Sequence, residues 1–151
     1  SRSGRLVLAE SCTGGLLASL FTEIPGISDR FCGSHVVYRE ASKTAWLGVS
    51  PKTLKRFSAV SPETVRAMAR GALRKTREAT IAAAITGYLG PTGEQVGLVY
   101  LAVLIRGERK PTVLRLEIGS VRGTPEHARL HRRDVAAEKL LSLLQAVLAR
   151  S

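Results

Sequence analysis

The residues with the most chemistry are crowded near the start of the chain, in LVLAESCTGGLLASL, Leu6 to Leu20. Glu10, Ser11, Cys12 and Thr13 stand between an apolar run and two glycines, Gly14 and Gly15, which open a second apolar run. This pattern fits a strand that hands over to a helix. A helix N-terminus presents free N–H groups and the positive end of a dipole, and Gly14 and Gly15 let the backbone approach a ligand closely. The turn therefore suits a phosphate or an oxyanion. It lacks the Gly-Lys-Ser/Thr ending of a phosphate-binding loop and the G-x-S-x-G of a nucleophile elbow. Read alone, Ser11 is a helix cap or a nucleophile. Cys12 is a small buried thiol or a nucleophile with no assigned base. Glu10 orients the loop or serves as a helix-start carboxylate.

A serine nucleophile needs a base, and histidine is the usual one. His35 lies inside a strand-like segment. His127 and His131 stand four apart on a helical segment, but no cysteine or third ligand accompanies them, so a solvated helix face outweighs a metal site. Lysine replaces histidine as the base where burial or nearby positive charge lowers its pKa.

Several elements must hold these groups. Leu6–Ala9 reads as a buried strand, Gly14–Glu23 as a helix and Phe31–Tyr38 as a strand. Ser42–Leu47 and Lys52–Phe57 are short helical candidates. Ser61 is an N-cap with Pro62 in the first turn, followed by a helical stripe of Val65, Met68, Ala69 and Leu73. ATIAAAIT and VGLVYLAVLI are apolar runs of the kind buried in sheets, and TVLRLEI suits an edge strand. Thr124–Arg150 is a long amphipathic helix with Val135, Leu140, Leu141, Leu144 and Val147 inward. The order predicts an α/β layer fold with a mixed sheet. Both ESCTGG and ITGYLGPTGEQ follow buried strands, where ligands of open α/β sheets bind.

The 151 residues suit one domain with a proper core. No apolar run approaches the ~20 residues of a membrane helix, and the N-terminus is not a convincing signal peptide. The absence of an initiator Met suggests a fragment or a processed chain. Cys12 and Cys32 make no disulfide framework, so a cytoplasmic protein with free thiols is expected. The net charge of +11 raises anionic partners. Along the sequence, however, the basic residues are scattered, and the 5% aromatic content is poor for a single-strand stacking platform. Neither nucleic acid nor a membrane is the expected partner.

AESCTGGLLASL, VVYREASKTAWLGV, AVSPETVRAMARGA and ITGYLGP…VGLVYLAV occur in that order. Together they resemble the C-terminal domain of the CinA competence/damage-inducible family, whose active members are nicotinamide-nucleotide amidohydrolases. The resemblance covers about Leu6 to Val147. It implies a single three-layer α/β/α domain with a mixed central sheet over residues 1–151. It also implies hydrolysis of nicotinamide mononucleotide to nicotinic acid mononucleotide and ammonia, with no metal and no cofactor, by a Ser/Lys dyad. The family serine matches Ser11, and the family lysine matches Lys43, flanked by Tyr38 and Gly48. The amides of Cys12, Thr13 and Gly14 would hold the oxyanion. An arginine of the last helix, Arg129 or Arg133 (or Arg132 in a shifted register), would grip the phosphate. Tyr38 would border the nicotinamide or assist near Lys43, and Thr86 and Gly87 would form the facing wall.

The chain also departs from the family pattern. Arg39, Glu40, Ala41 and Ser42 replace the usual Asn-Glu-Ala spacer. TGYLGP replaces TGIAGP, which adds bulk at Tyr88 and Leu89, and the following loop is shortened to Thr92–Gln95. Only five residues precede the first strand, where the family carries a helix. Two readings follow: a serine amidohydrolase, or a catalytically weak nucleotide- or partner-binding domain linked to competence or DNA damage. Assembly as a homo-oligomer is left open.

Overall fold

A computed structural model describes residues 4–151. The chain forms β1 (Leu6–Glu10), α1 (Leu16–Thr22), a 3-10 turn (Ile27–Asp29), β2 (Phe31–Val36), α2 (Glu40–Leu47), α3 (Pro51–Phe57), α4 (Pro62–Lys75), β3 (Ile81–Gly87), β4 (Leu98–Ile105), β5 (Thr112–Glu117) and α5 (Pro125–Leu148). The sheet order is β2-β1-β3-β4-β5. β1 pairs in parallel with both β2 and β3, while β4 and β5 add antiparallel. The chain leaves β1 to one side and returns past it to β3. The β1/β3 boundary is thus the switch point at which open α/β sheets build their ligand sites.

β1 is buried at all five positions, as a strand covered on both faces must be. Its alternating side chains divide two cores. Leu6 and Leu8, with Ile81, Ala83 and Ile85 of β3, meet Leu17 of α1 and Ala136, Ala137 and Leu140 of α5. Val7 and Ala9, with Ala82 and Ala84, meet Leu47, Leu54, Val65 and Met68 of α2–α4. The result is the expected three layers. α4 and α2 touch almost backbone to backbone: a Cβ on Gly71 would lie 2.2 Å from the Leu47 carbonyl oxygen.

Local chemistry fixes the helix starts. The Ser61 hydroxyl accepts the Thr64 N–H at 3.1 Å ahead of Pro62, and Thr124 accepts His127 N–H at 3.1 Å ahead of Pro125. α1 begins at Leu16 rather than Gly14 because Gly14 and Gly15 hold φ of +59° and +103°, outside helical space. β2 ends at Val36, two residues early, because its partner β1 ends at Glu10, directly opposite Val36. The inward stripe of α5 also differs from the expected one. Leu140, Leu144 and Val147 are buried, but so are Ala128, Arg132, Ala136 and Ala137, while Val135 and Leu141 are half-buried. Small alanines bring the helix close to the sheet. Among the described residues, no helix is long and apolar enough to cross a membrane.

Candidate active site

Glu10 is the last residue of β1 and is fully buried. Its Oε1 accepts the Thr13 hydroxyl and the Leu17 N–H, both at 2.9 Å, and its Oε2 accepts the Ala18 N–H at 3.2 Å and the Ser34 hydroxyl at 2.7 Å. One carboxylate thus fills the N-terminus of α1 and braces the turn, so its two sequence readings merge. It also changes the expected anion site, because the helix donors that would meet a phosphate are already spent inside the protein.

The turn between Glu10 and α1 is tied at both ends. Ser11 N–H donates to Ile85 O at 3.1 Å, and Gly14 N–H donates to Ser11 O at 3.1 Å. Gly14 therefore does not offer its amide to an oxyanion. The Cys12 and Thr13 amides have no acceptor on another residue among the described ones. Gly14 and Gly15 hold the left-handed backbone of the turn. An added Cβ would meet nothing within 4 Å at Gly14 and only Val36 at 3.7 Å at Gly15.

Lys43 enters from α2. It is 1% exposed, and its Nζ donates to Ser11 Oγ at 2.8 Å, to Val37 O at 2.8 Å and to Tyr38 O at 3.4 Å. Three acceptors hold the three N–H directions of an ammonium. Burial lowers the Lys43 pKa from the ordinary lysine range, against a weaker opposing pull from Cys12 and Glu40. When the amine is neutral, its lone pair can face the Ser11 hydroxyl.

Beside this pair lies a cavity of about 390 Å³. Ser11, Cys12 and Lys43 form its floor, and Ala59, Val60, Thr86, Gly87 and Tyr88 form one wall. Tyr38, Gly90 and Arg129 stand at another side. Thr13, Gly14 and Gly15 are not among the lining residues; they shape the turn beneath it. The Thr86 hydroxyl is spent on Ala59 O at 2.7 Å, which ties the wall to the end of β3.

The two candidate arginines separate. Arg129 donates to Gly90 O and, at 2.9 Å, to the Tyr38 hydroxyl, spanning the cavity edge. Arg133 instead pairs with Asp134 at 3.0 Å and does not line the cavity. Arg132 is buried and does not line the cavity; it donates to Leu89 O at 3.1 Å, and its Nε has no partner among the described residues.

The remaining candidates lie elsewhere or are inert. Burial pushes the Cys12 thiol up to about 12, which marks a packed side chain rather than a nucleophile. His35 faces Thr76 at 3.4 Å, and burial, with help from Lys75, lowers its pKa. His127 and His131 are exposed on α5, and Cys32 is a half-buried free thiol.

Sequence reasoning did not find Ser58. It holds φ 72°, ψ 168°, a region nearly reserved for glycine. Its Oγ bonds Val60 N–H and O, both at 3.1 Å, and reaches the Tyr88 hydroxyl at 3.3 Å. No composition or period signals such a residue.

Together these features define a class: a doubly wound, three-layer α/β domain with a serine–lysine pair at the carboxyl end of its first strand. The chain belongs to the CinA C-terminal domain family, whose model matches residues 1–144. A CinA-like protein of Myxococcus xanthus is 45% identical over 148 residues, which is 95% of this chain and 33% of that protein. One from Akkermansia muciniphila is 40% identical over 142 residues, 91% of this chain and 32% of that protein. The chain thus spans about a third of the length of these relatives. Among crystal structures, the competence damage-inducible protein A of Klebsiella pneumoniae superposes with TM-score 0.79 at 31% identity, covering 95% of this chain and 88% of that one. A competence/damage-inducible protein of Agrobacterium tumefaciens gives 0.77 at 39% identity, covering 93% and 86%.

Proposed function

We propose that the domain is a nicotinamide-nucleotide amidohydrolase, converting nicotinamide mononucleotide and water to nicotinic acid mononucleotide and ammonia. The observation that carries this reading is the 2.8 Å contact between buried Lys43 Nζ and Ser11 Oγ on the cavity floor. Neutral Lys43 takes the hydroxyl proton as Ser11 Oγ attacks the carboxamide carbon. The amides of Cys12 and Thr13 receive the tetrahedral oxyanion. Lys43 then protonates the leaving nitrogen, ammonia departs, and the acyl group stays on Ser11 as an ester. Water attacks the ester, Lys43 takes the proton of the water, and Ser11 leaves with that proton restored. The cavity falls in the usual range for small-molecule sites, roughly 300–1,000 Å³. Arg129 is the arginine on its edge and the phosphate ligand in this scheme.

The test is ammonia release from nicotinamide mononucleotide and related amides by the wild type beside Ser11→Ala. Turnover that disappears in the variant supports the reading. Wild-type protein that binds the nucleotide but releases no ammonia from any amide overturns it in favour of a binding domain.

A further inference from the structure

The basic residues that look scattered along the sequence are collected by the fold. Residues 39–77, which span α2–α4, hold nine basic side chains besides the buried Lys43 and two acidic ones, +7 of the chain's net +11. These helices form one outer layer. Among the described residues the ion pairs are Arg5–Glu78, Arg115–Glu117 and Arg133–Asp134, so none involves this layer. Its charge is left to solvent or to a partner.

The arrangement is ordered. Arg66, Arg70 and Arg74 follow one another at four-residue steps on α4 and so form a row along one face. Like charges at this spacing repel, and no carboxylate stands between Arg66 and Arg74 to relieve them. Backbone carbonyls hold the lower part of the row instead. Arg74 donates to Leu47 O at 2.9 Å and Arg70 to Arg109 O at 3.4 Å. Arg106, beside the foot of α4, donates to Ala79 O and Leu73 O at 2.8 Å and to Thr76 O at 3.2 Å. These three guanidinium groups line a cavity of about 350 Å³. The one carboxylate there, Glu108, accepts the Ile105 N–H of its own turn at 3.3 Å.

We propose that this layer is a docking surface for the phosphate backbone of duplex nucleic acid, with the Arg66–Arg70–Arg74 row as its centre. The step along the row is about 6 Å, so the three guanidinium groups spread their charge over roughly 12 Å of one helix face, a linear array of the kind that meets a run of backbone phosphates. Contacts to phosphate alone require no base reading. The exposed aromatics of this layer are Trp46 on α2 and Phe57 on α3, the latter under the Arg56 guanidinium. Two rings on separate helices are few for stacking a single strand, and the apolar face of α4 is buried against the sheet, so the arginine row itself does not enter a lipid interface. No residue of α4 lines the Ser11–Lys43 cavity, so the row lies apart from it. The surface does not depend on the enzymatic reading.

The experiment is fluorescence anisotropy with a labelled 20-base-pair DNA duplex between 50 and 200 mM salt. The wild type is expected to bind with a log–log salt slope of about −3 or steeper, near −0.9 per phosphate neutralised. Arg66→Gln/Arg70→Gln/Arg74→Gln should weaken binding at 50 mM salt at least tenfold and make the slope shallower by about 2 to 3. Lys52→Gln/Lys55→Gln/Arg56→Gln, on α3, should give a smaller loss and serves as the second arm if the α4 variant misfolds. Lys139→Gln/Arg150→Gln, from the opposite layer, should bind as the wild type. No duplex binding at 50 mM salt overturns the proposal, as does binding that neither basic-layer variant weakens. Binding to phosphatidylserine vesicles in place of the duplex also overturns it.

Discussion

The turn after β1 and the loop after β3 leave neighbouring parallel strands and border the same cavity, yet different groups hold them. The β1 turn braces itself: Glu10 gathers four donors from within it, from α1 and from β2, and Ser11 and Gly14 close its backbone bonds. The β3 loop closes only its base by its own backbone, between Tyr88 and Leu98 and between Gly97 and Tyr88, and its middle is held from outside, by Arg129 and Arg132 of α5 on the carbonyls of Gly90 and Leu89 and by Ser58 on Tyr88. A rigid, internally satisfied turn suits groups that must keep their geometry. A loop anchored by side chains from other elements can change its own residues while the anchors stay. The contrast predicts that damage to the first turn reduces catalysis and damage to the second changes substrate fit.

The largest effect is expected at the reacting atoms. Ser11→Ala should lower kcat for ammonia release by about a thousandfold or more with the fold intact by circular dichroism; near-normal turnover would remove Ser11 from the mechanism. Lys43 comes next. Because burial lowers its pKa, kcat/KM should rise with pH through the depressed value as the amine loses its proton. Between that value and the ordinary ~10.4, the unfolded chain binds a proton that the folded chain does not, so stability also rises with pH across this window. Lys43→Met should abolish activity, and the wild-type-minus-variant difference in unfolding free energy should grow with pH. Lys43→Arg should be equally inactive; an active Arg variant would mean that charge, not proton transfer, is what Lys43 supplies.

Glu10→Gln tests the brace. The amide nitrogen would face one N–H donor whichever way it is turned, so a loss of about 3 kcal/mol in denaturant unfolding is expected. A neutral result would show that the turn does not depend on its internal anion. A smaller effect is expected in the β3 loop. Tyr88→Ala should raise KM about fivefold to tenfold with kcat little changed, whereas a fall in kcat alone would erase the contrast between the two regions. The smallest effect belongs to Cys12→Ala, which removes a packed thiol beside the nucleophile. Turnover should stay within several-fold, and the native Cys12 thiol should resist alkylation at pH 8 while Cys32 reacts.

Much of the first region was legible in the sequence. An apolar run, a polar cluster and two glycines mark a strand, a turn and a helix through local chemistry alone, and the caps at Ser61 and Thr124 obey the same local rules. The contact of Lys43 with Ser11 was accessible only through family resemblance, because 32 residues separate them and no periodicity links an α2 lysine to a β1 turn. The second region was less legible. The strained backbone of Ser58, its reach to Tyr88 and the burial of Arg132 depend on how distant elements meet. The choice of Arg129 over Arg133 as the cavity arginine likewise needs the position of the Gly90 carbonyl, which a helical pattern does not contain. The polarity of surface charge was hidden because it is a property of layers, not of segments.

The burial of Glu10 also gives the site a direction. A helix start beside a catalytic turn would ordinarily welcome a ligand by its most negative end. Here that seat is occupied by the protein's own carboxylate, so the donors left for a phosphate in the proposed reaction are those of Arg129 from α5 rather than those of the helix start. In the proposed reaction, a substrate carrying both an amide and a phosphate would thereby be sorted head from tail, its amide towards Ser11 and its phosphate towards Arg129.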